Sequence, residues 1–141
     1  MVRMKRDRAM LARLLIGIVT AWNLQAAAVF VLRPADFAAG FELSGAAGEA
    51  AVRGTAVLFV MWNVPYLAAL WDPRRFRLAL TLAIVMQFAG LVGETWILSS
   101  LAPEHTVLRG SILRFIQFDG AGLILLLLAF FLSKQASPGG A

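Results

Sequence analysis

Four stretches of the chain, residues 14–32, 54–71, 78–98 and 112–132, are built almost wholly from apolar side chains, with polar residues at only a few positions in each. At about 1.5 Å of rise per residue, each is long enough as a helix to cross roughly 30 Å of hydrocarbon. Between them lie helix-stopping signals. Arg33-Pro34 ends the first stretch, because proline cannot continue a helix and restrains the residue before it. Asp72-Pro73 separates the second from the third, with Asp72 placed to cap and Pro73 to fill the first turn of the next helix. Ala102-Pro103-Glu104 restarts a helix by similar logic, and Gly110 offers a break between an interfacial piece and the fourth span. Inside the second stretch Pro65 removes a backbone donor and predicts a kink near Met61. The pattern predicts an all-α protein, a single integral-membrane four-helix bundle.

Two segments flank these spans. Residues 34–53 are rich in Ala and Gly and carry Asp36, Glu42 and Glu49; Phe37 and Phe41 sit four apart, with Leu43 two further on. That spacing suits a short interfacial helix lying on the membrane, and a loop with scattered apolar residues reads equally well. Residues 135–141, with Ser-Pro-Gly-Gly among them, read as a disordered tail. A cleavable signal peptide competes for the first stretch, with Gln25-Ala26-Ala27-Ala28 as its cleavage site. The apolar run continues through Leu32, past any such cut, which favours retention.

The polar residues inside the spans carry the candidate chemistry. Hydrocarbon penalises an ionised side chain at mid-depth by roughly 2.5–3.5 kcal/mol or more. Even so, the third span holds Glu94, on one helical stripe with Gln87 and Gly90, and the fourth holds Arg114, Gln117 and Asp119. Counting rise per residue from the span ends puts Glu94 and Arg114 at similar depth, about 6 to 9 Å in. Gln117 lies one turn deeper, on the face of Arg114. Asn63 reaches about 13 Å from the outside, and Asn23 and Gln25 come near the midplane from the inside. Seven polar residues on four helices therefore converge on one half of the bundle. The other half has almost none, and there the fourth span reads Leu125-Leu126-Leu127-Leu128. Matching depth and opposite sign predict a Glu94–Arg114 ion pair. Asp119, about 140° around the helix from Arg114, is expected to face Asn63, Tyr66 or Asn23. Gly90, Gly93, Gly120 and Gly122 would let backbones approach near these groups. The candidate binding or proton-relay residues are Glu94, Arg114, Asp119, Asn63, Tyr66, Trp62, Gln117, Gln87 and Asn23, with Trp62 and Tyr66 as walls. For the amides, inter-helical hydrogen bonding is the plainer role; the ionisable residues point to function. Trp22, Trp71 and Trp96 read as interface anchors or packing.

Composition agrees: 60% apolar and 15% charged residues, with a mean hydropathy of +0.78, belong to a membrane protein. The net charge of +5 sits in short segments flanking the spans, with no basic stripe interleaved with aromatics, so no nucleic-acid partner is expected. With the N-terminus in the cytoplasm, Arg3, Lys5, Arg6, Arg8, Arg13, Arg74, Arg75, Arg77 and Lys134 lie inside, and Arg33, Arg53 and Arg109 outside. The positive-inside rule thus predicts a multi-pass protein of the bacterial inner membrane with both termini cytoplasmic. The chain has no Cys and one His, His105. Cys-ligated metals, Fe–S clusters and a bis-histidine haem within one chain are excluded. No phosphate-binding glycine loop and no Ser–His arrangement is present. The expectation leans away from an enzyme and predicts no metal and no catalytic residue.

The stretches Leu58-Phe59-Val60-Met61-Trp62-Asn63-Val64-Pro65-Tyr66 and Arg114-Phe115-Ile116-Gln117-Phe118-Asp119-Gly120 look like signature blocks of a bacterial family of unknown function. The outline, with Arg53-Gly54 at the mouth of the second span, resembles the DoxX-like group of small four-helix membrane proteins. That resemblance implies a quinone or small-molecule site and a quinone-linked redox component, with Glu94 and Asp119 passing protons. The residues alone favour a ligand-binding or accessory subunit with a polar pocket in the outer half. A third reading is a proton- or ion-coupled carrier that self-associates. The expected partners are the lipid bilayer and either membrane-complex subunits or further copies of the chain.

Overall fold

The computed structural model describes residues 2–135. They form five helices: α1 (Val2–Leu32), α2 (Pro34–Gly40), α3 (Gly45–Trp71), α4 (Arg77–Ser100) and α5 (Thr106–Gln135). No strand occurs among the described residues. Four of the helices are long and apolar enough to cross a membrane, over Arg6–Leu32, Gly45–Trp71, Arg77–Ser100 and Thr106–Lys134. The chain is a multi-pass membrane protein.

Every helix extends past the apolar stretch that announced it. α3 begins at Gly45, so most of residues 34–53 is helical, as α2 and the first turns of α3. The Ala-rich run 46–51 has strong helix propensity and needs no hydrocarbon to stay helical. Gly110 does not divide α5, which is continuous from Thr106. Gln135 ends α5, and the rest of the tail lies outside the described residues.

The connections follow from local chemistry. Arg33 still donates its backbone N–H to Val29 O at 2.8 Å, and Pro34 opens α2 in its first turn. α2 closes when Leu43 N donates to Ala38 O (2.9 Å) and Glu42 N to Ala39 O (3.0 Å), with Glu42 at φ 56°. This left-handed helix stop usually falls to glycine. Glu42 holds it because its carboxylate is engaged elsewhere: Oε2 shares a 2.5 Å hydrogen bond with His105 Nδ1, and Oε1 accepts from Leu108 N at 3.2 Å. The turn after α2 is thereby strapped to the start of α5. Asp72 and Pro73 do not start α4 as expected: α4 begins at Arg77 with Phe76 before it, and Asp72 caps the end of α3. Asp72 instead closes the intervening turn, its Oδ1 accepting from Arg74 N (2.9 Å) and Arg75 N (3.1 Å). Those two bonds, that of Arg75 foremost, hold its carboxyl below the ordinary range. Arg109 Nη1 donates to Leu98 O and Leu101 O, satisfying free carbonyls at the end of α4.

The long helices pack in a ring, α1 against α3, α3 against α4, α4 against α5 and α5 against α1; among the described residues neither diagonal pair brings its backbones within 8 Å, though the α3 and α5 rings of Phe59 and Phe115 reach across to 6.3 Å. One core cluster fills the end near the start of α1, with Ile16, Val19, Leu80 and Leu126 among Ala12, Ala69, Ala83 and Ala129. Alanines there let the backbones close in. The second cluster, at the other end, joins α1, α2 and α3 through Ala27, Phe30, Ala38, Val52 and Ala56. Outward faces carry Leu14, Val60, Val64, Val85, Val92 and Ile124, all exposed within the chain, the pattern expected where lipid is the solvent.

Candidate functional site

Where the two clusters meet, the ring encloses a cavity of about 360 Å³. Its upper wall is aromatic and centres on Phe30, whose ring lies 4.6 Å from Phe37, 5.8 Å from Phe59 and 6.2 Å from Phe115, centroid to centroid. Phe41 stacks on Phe115 at 5.9 Å and 21°. Trp22 meets Phe118 edge-on at 5.9 Å, and Trp62 meets Phe59 at 6.0 Å; all of these rings line the cavity. α2 therefore turns its aromatic face inward and roofs the cavity. It does not lay that face on the membrane, because Phe37 and Phe41 find ring partners there.

The floor is a hydrogen-bonded chain across three helices. The Tyr66 hydroxyl is shared between Gln87 Oε1 (2.6 Å) and Ala83 O (3.1 Å), and Gln87 Nε2 donates to Asp119 Oδ1 at 2.7 Å. Asn23 approaches the same hydroxyl from α1. Two glycines make room. A methyl on Gly90 would collide with the Asp119 carboxylate, and one on Gly122 would come within 2.8 Å of Gln87 Nε2. Gly93 and Gly120 have no such role: the first faces open space, and the second meets only Leu91 at 4.0 Å.

Of the nine candidate residues, Glu94, Arg114, Asp119, Tyr66, Trp62, Gln87 and Asn23 line the cavity. Asn63 does not. It is fully buried behind the wall, where its amide donates to Phe59 O at 2.7 Å and its Oδ1 has no hydrogen-bond partner. Gln117 is exposed and turned away, because it lies two residues, about 200° of helix, from both Phe115 and Asp119, which occupy the inward face.

The expected Glu94–Arg114 ion pair is not formed. The ion pairs among the described residues are Arg33–Asp36, Arg53–Glu49 and His105–Glu42. Arg114 Nη2 donates instead to Ser111 Oγ (2.8 Å), which itself donates to Gly40 O (2.6 Å). That places Arg114 on the α2 side of the cavity. Glu94 lies on the α3–α4 side with Trp62, and its Oε2 is buried without a hydrogen-bond partner. Depth matched, but direction around the helix did not. Asp119 was expected to face Asn63, Tyr66 or Asn23; its hydrogen bond goes to Gln87 on α4, which stands between it and Tyr66.

Sequence reasoning passed over Trp22 as a lining residue, along with Ser111, Phe30, Phe59 and Phe115. An aromatic ring within an apolar run carries no contrast that would single it out. Phe37 and Phe41 did stand out by spacing. Among the described residues no group of three His, Asp or Glu side chains is placed to hold a metal ion. Fold and cavity together define a multi-pass helical membrane protein with an internal amphipathic chamber. No protein-family model, curated protein or solved structure matches the chain.

Proposed function

We propose that this protein binds a small amphipathic ligand inside the membrane, in the outer half of a bundle whose termini both face the cytoplasm of a bacterial inner membrane, and that it acts as a binding or accessory subunit without catalysing a reaction. The observation that carries the reading is the cavity of about 360 Å³, which joins an aromatic wall to convergent polar groups and leaves Glu94 Oε2 unsatisfied. Concave, mostly apolar sites with a few placed polar groups are the usual form of a small-molecule site. A purely structural polar layer would be expected to satisfy its own members, since an unmet buried acceptor costs about 1–3 kcal/mol. The orientation rests on charge. Arg74, Arg75, Arg77 and Lys134 gather at the end where α1 begins, and Arg33, Arg53 and Arg109 lie at the other.

Native mass spectrometry of the protein released from membranes tests this reading. A small-molecule adduct below phospholipid mass is expected, and it should vanish in Ala26→Phe, which fills the cavity from α1. Only bulk phospholipid on the protein, or an adduct indifferent to Ala26→Phe, would show that the cavity is not a binding site. A quinone as the adduct would favour the redox reading.

A further inference from the structure

The chemical class of the ligand can be drawn from the same chamber, an inference that rests on the binding reading above. Four charged side chains line the cavity: Asp36, Glu94, Arg114 and Asp119. Asp36 is paired with Arg33 at the rim, and Arg114 is engaged with Ser111 on the α2 side. Away from that side stand two carboxylates, Glu94 and Asp119, the second packed against Gly90 about one turn before Glu94 in α4, and neither has an ion-pair partner among the described residues. Asp119 has the Gln87 amide; one oxygen of Glu94 has nothing. Arg114 keeps its charge, which a serine hydroxyl does not neutralise, but that charge is held on the α2 side; on the α3–α4 side, where Glu94 stands, the deficit is one of positive charge and hydrogen-bond donors.

The walls point the same way. Phe30, Phe59, Phe115, Phe118, Trp22 and Trp62 line the same cavity as these acids, and aromatic faces attract cations and repel anions. A second hollow, a groove of about 380 Å³ along the α3–α4 seam, is lined by Gly90, Gly93 and Ile97 together with Trp62, Met86 and Glu94. The last three also line the cavity, so Glu94 stands where chamber and lipid-facing seam meet. A molecule dissolved in the acyl chains would reach Glu94 by passing Trp62. We infer that the occupant is a membrane-partitioning organic cation, an amine or quaternary centre on an apolar or aromatic body, with its charge at Glu94 and its body among the rings.

The test uses the full chain in detergent micelles and two permanently charged cations, tetraphenylphosphonium and the smaller benzyltrimethylammonium, in equilibrium binding. Tetraphenylborate serves as the anion of matching shape. At least one cation should bind saturably. Glu94→Gln should weaken that binding tenfold or more, Trp62→Ala several-fold, and Glu94→Asp, which keeps the charge, only a few-fold. Glu94→Gln and Glu94→Asp should elute and melt like the parent, since Glu94 Oε2 has no hydrogen-bond partner to lose; Trp62→Ala gives up its edge contact with Phe59, so its binding is compared at a temperature where its own melt shows it folded. Equal binding of tetraphenylborate, no saturable binding of either cation, or a Glu94→Gln variant with parental affinity would each overturn the inference. If tetraphenylborate alone binds and Ala26→Phe abolishes it, the chamber is a ligand site for the opposite charge and the binding reading survives. If none of the three binds and no adduct is found in the native protein, both readings fall together.

Discussion

Gly90→Ala compared with Gly93→Ala isolates the fit on which the cavity floor depends. The two glycines lie three residues apart in α4, and alanine should raise helix propensity at each by up to about 1 kcal/mol. That gain is common to both and cancels in the comparison. At Gly93 the new methyl meets nothing within 4 Å. At Gly90 it meets the Asp119 carboxylate, which must swing away and give up its 2.7 Å bond from Gln87 Nε2. Inter-helical hydrogen bonds in bilayers average only about 0.6 kcal/mol, but here a donor and a charged acceptor are also left unmet, about 1–3 kcal/mol. Gly90→Ala should therefore be less stable than Gly93→Ala by about 1–3 kcal/mol, measured by reversible unfolding in mixed SDS micelles. In an Asp119→Ala background the collision is gone and the difference should vanish. Equal stability of the two alanine variants, or a difference that persists without Asp119, would refute the packing described for the floor.

Other perturbations probe other joints. Tyr66→Phe removes the hydroxyl that reaches Gln87 Oε1 and Ala83 O and should cost about 1 kcal/mol in the same unfolding assay. Asp72→Ala leaves the backbone N–H groups of Arg74 and Arg75 in the α3–α4 turn without their acceptor and should cost about 1 kcal/mol, the usual net worth of such bonds; Asp72→Asn should retain most of it. The Glu42–His105 strap should depend on pH. The Glu42 hydrogen bond raises His105 above its ordinary 6.5, and His105 lowers Glu42 below its ordinary 4.5. The histidine contribution is complete below 6.5 and lost as pH rises through the raised value; the glutamate contribution is complete above 4.5 and lost as pH falls through the lowered one. The melting-temperature difference between the protein and Glu42→Gln should peak between those limits and shrink on both sides. A flat difference would mean the strap is open in solution.

How far the sequence disclosed this arrangement depends on the property asked of it. Spans were legible because lipid demands long apolar runs, and the stops at Arg33-Pro34 and Asp72-Pro73 are local chemistry. Depth was legible for one pair: with Gly90 beside Asp119 and Gly122 beside Gln87, the antiparallel register of α4 and α5 sets Glu94 within a residue of the level of Arg114. Direction around the helix was not. Arg114 turns to Ser111 because α2 brings the Gly40 carbonyl there, a contact between residues 71 positions apart that no periodicity encodes. Gln117 followed Arg114 in the reading and points away in the structure for the same reason: inward faces are set by which neighbours close the ring. The phenylalanine wall was hidden among residues that lipid and core welcome alike.

The chain contains no cysteine, so single introduced thiols can report water within the bundle without background. Glu94→Cys lies on the cavity, and Val92→Cys, two residues away, faces outward. Only a thiol in water ionises enough to react readily with a methanethiosulfonate. The membrane-impermeant reagent, applied from the extracytoplasmic side, should modify Glu94→Cys rapidly and Val92→Cys barely. Equal rates at the two positions, or modification of Glu94→Cys only from the cytoplasmic side, would contradict a water-accessible polar chamber in the outer half of the bundle.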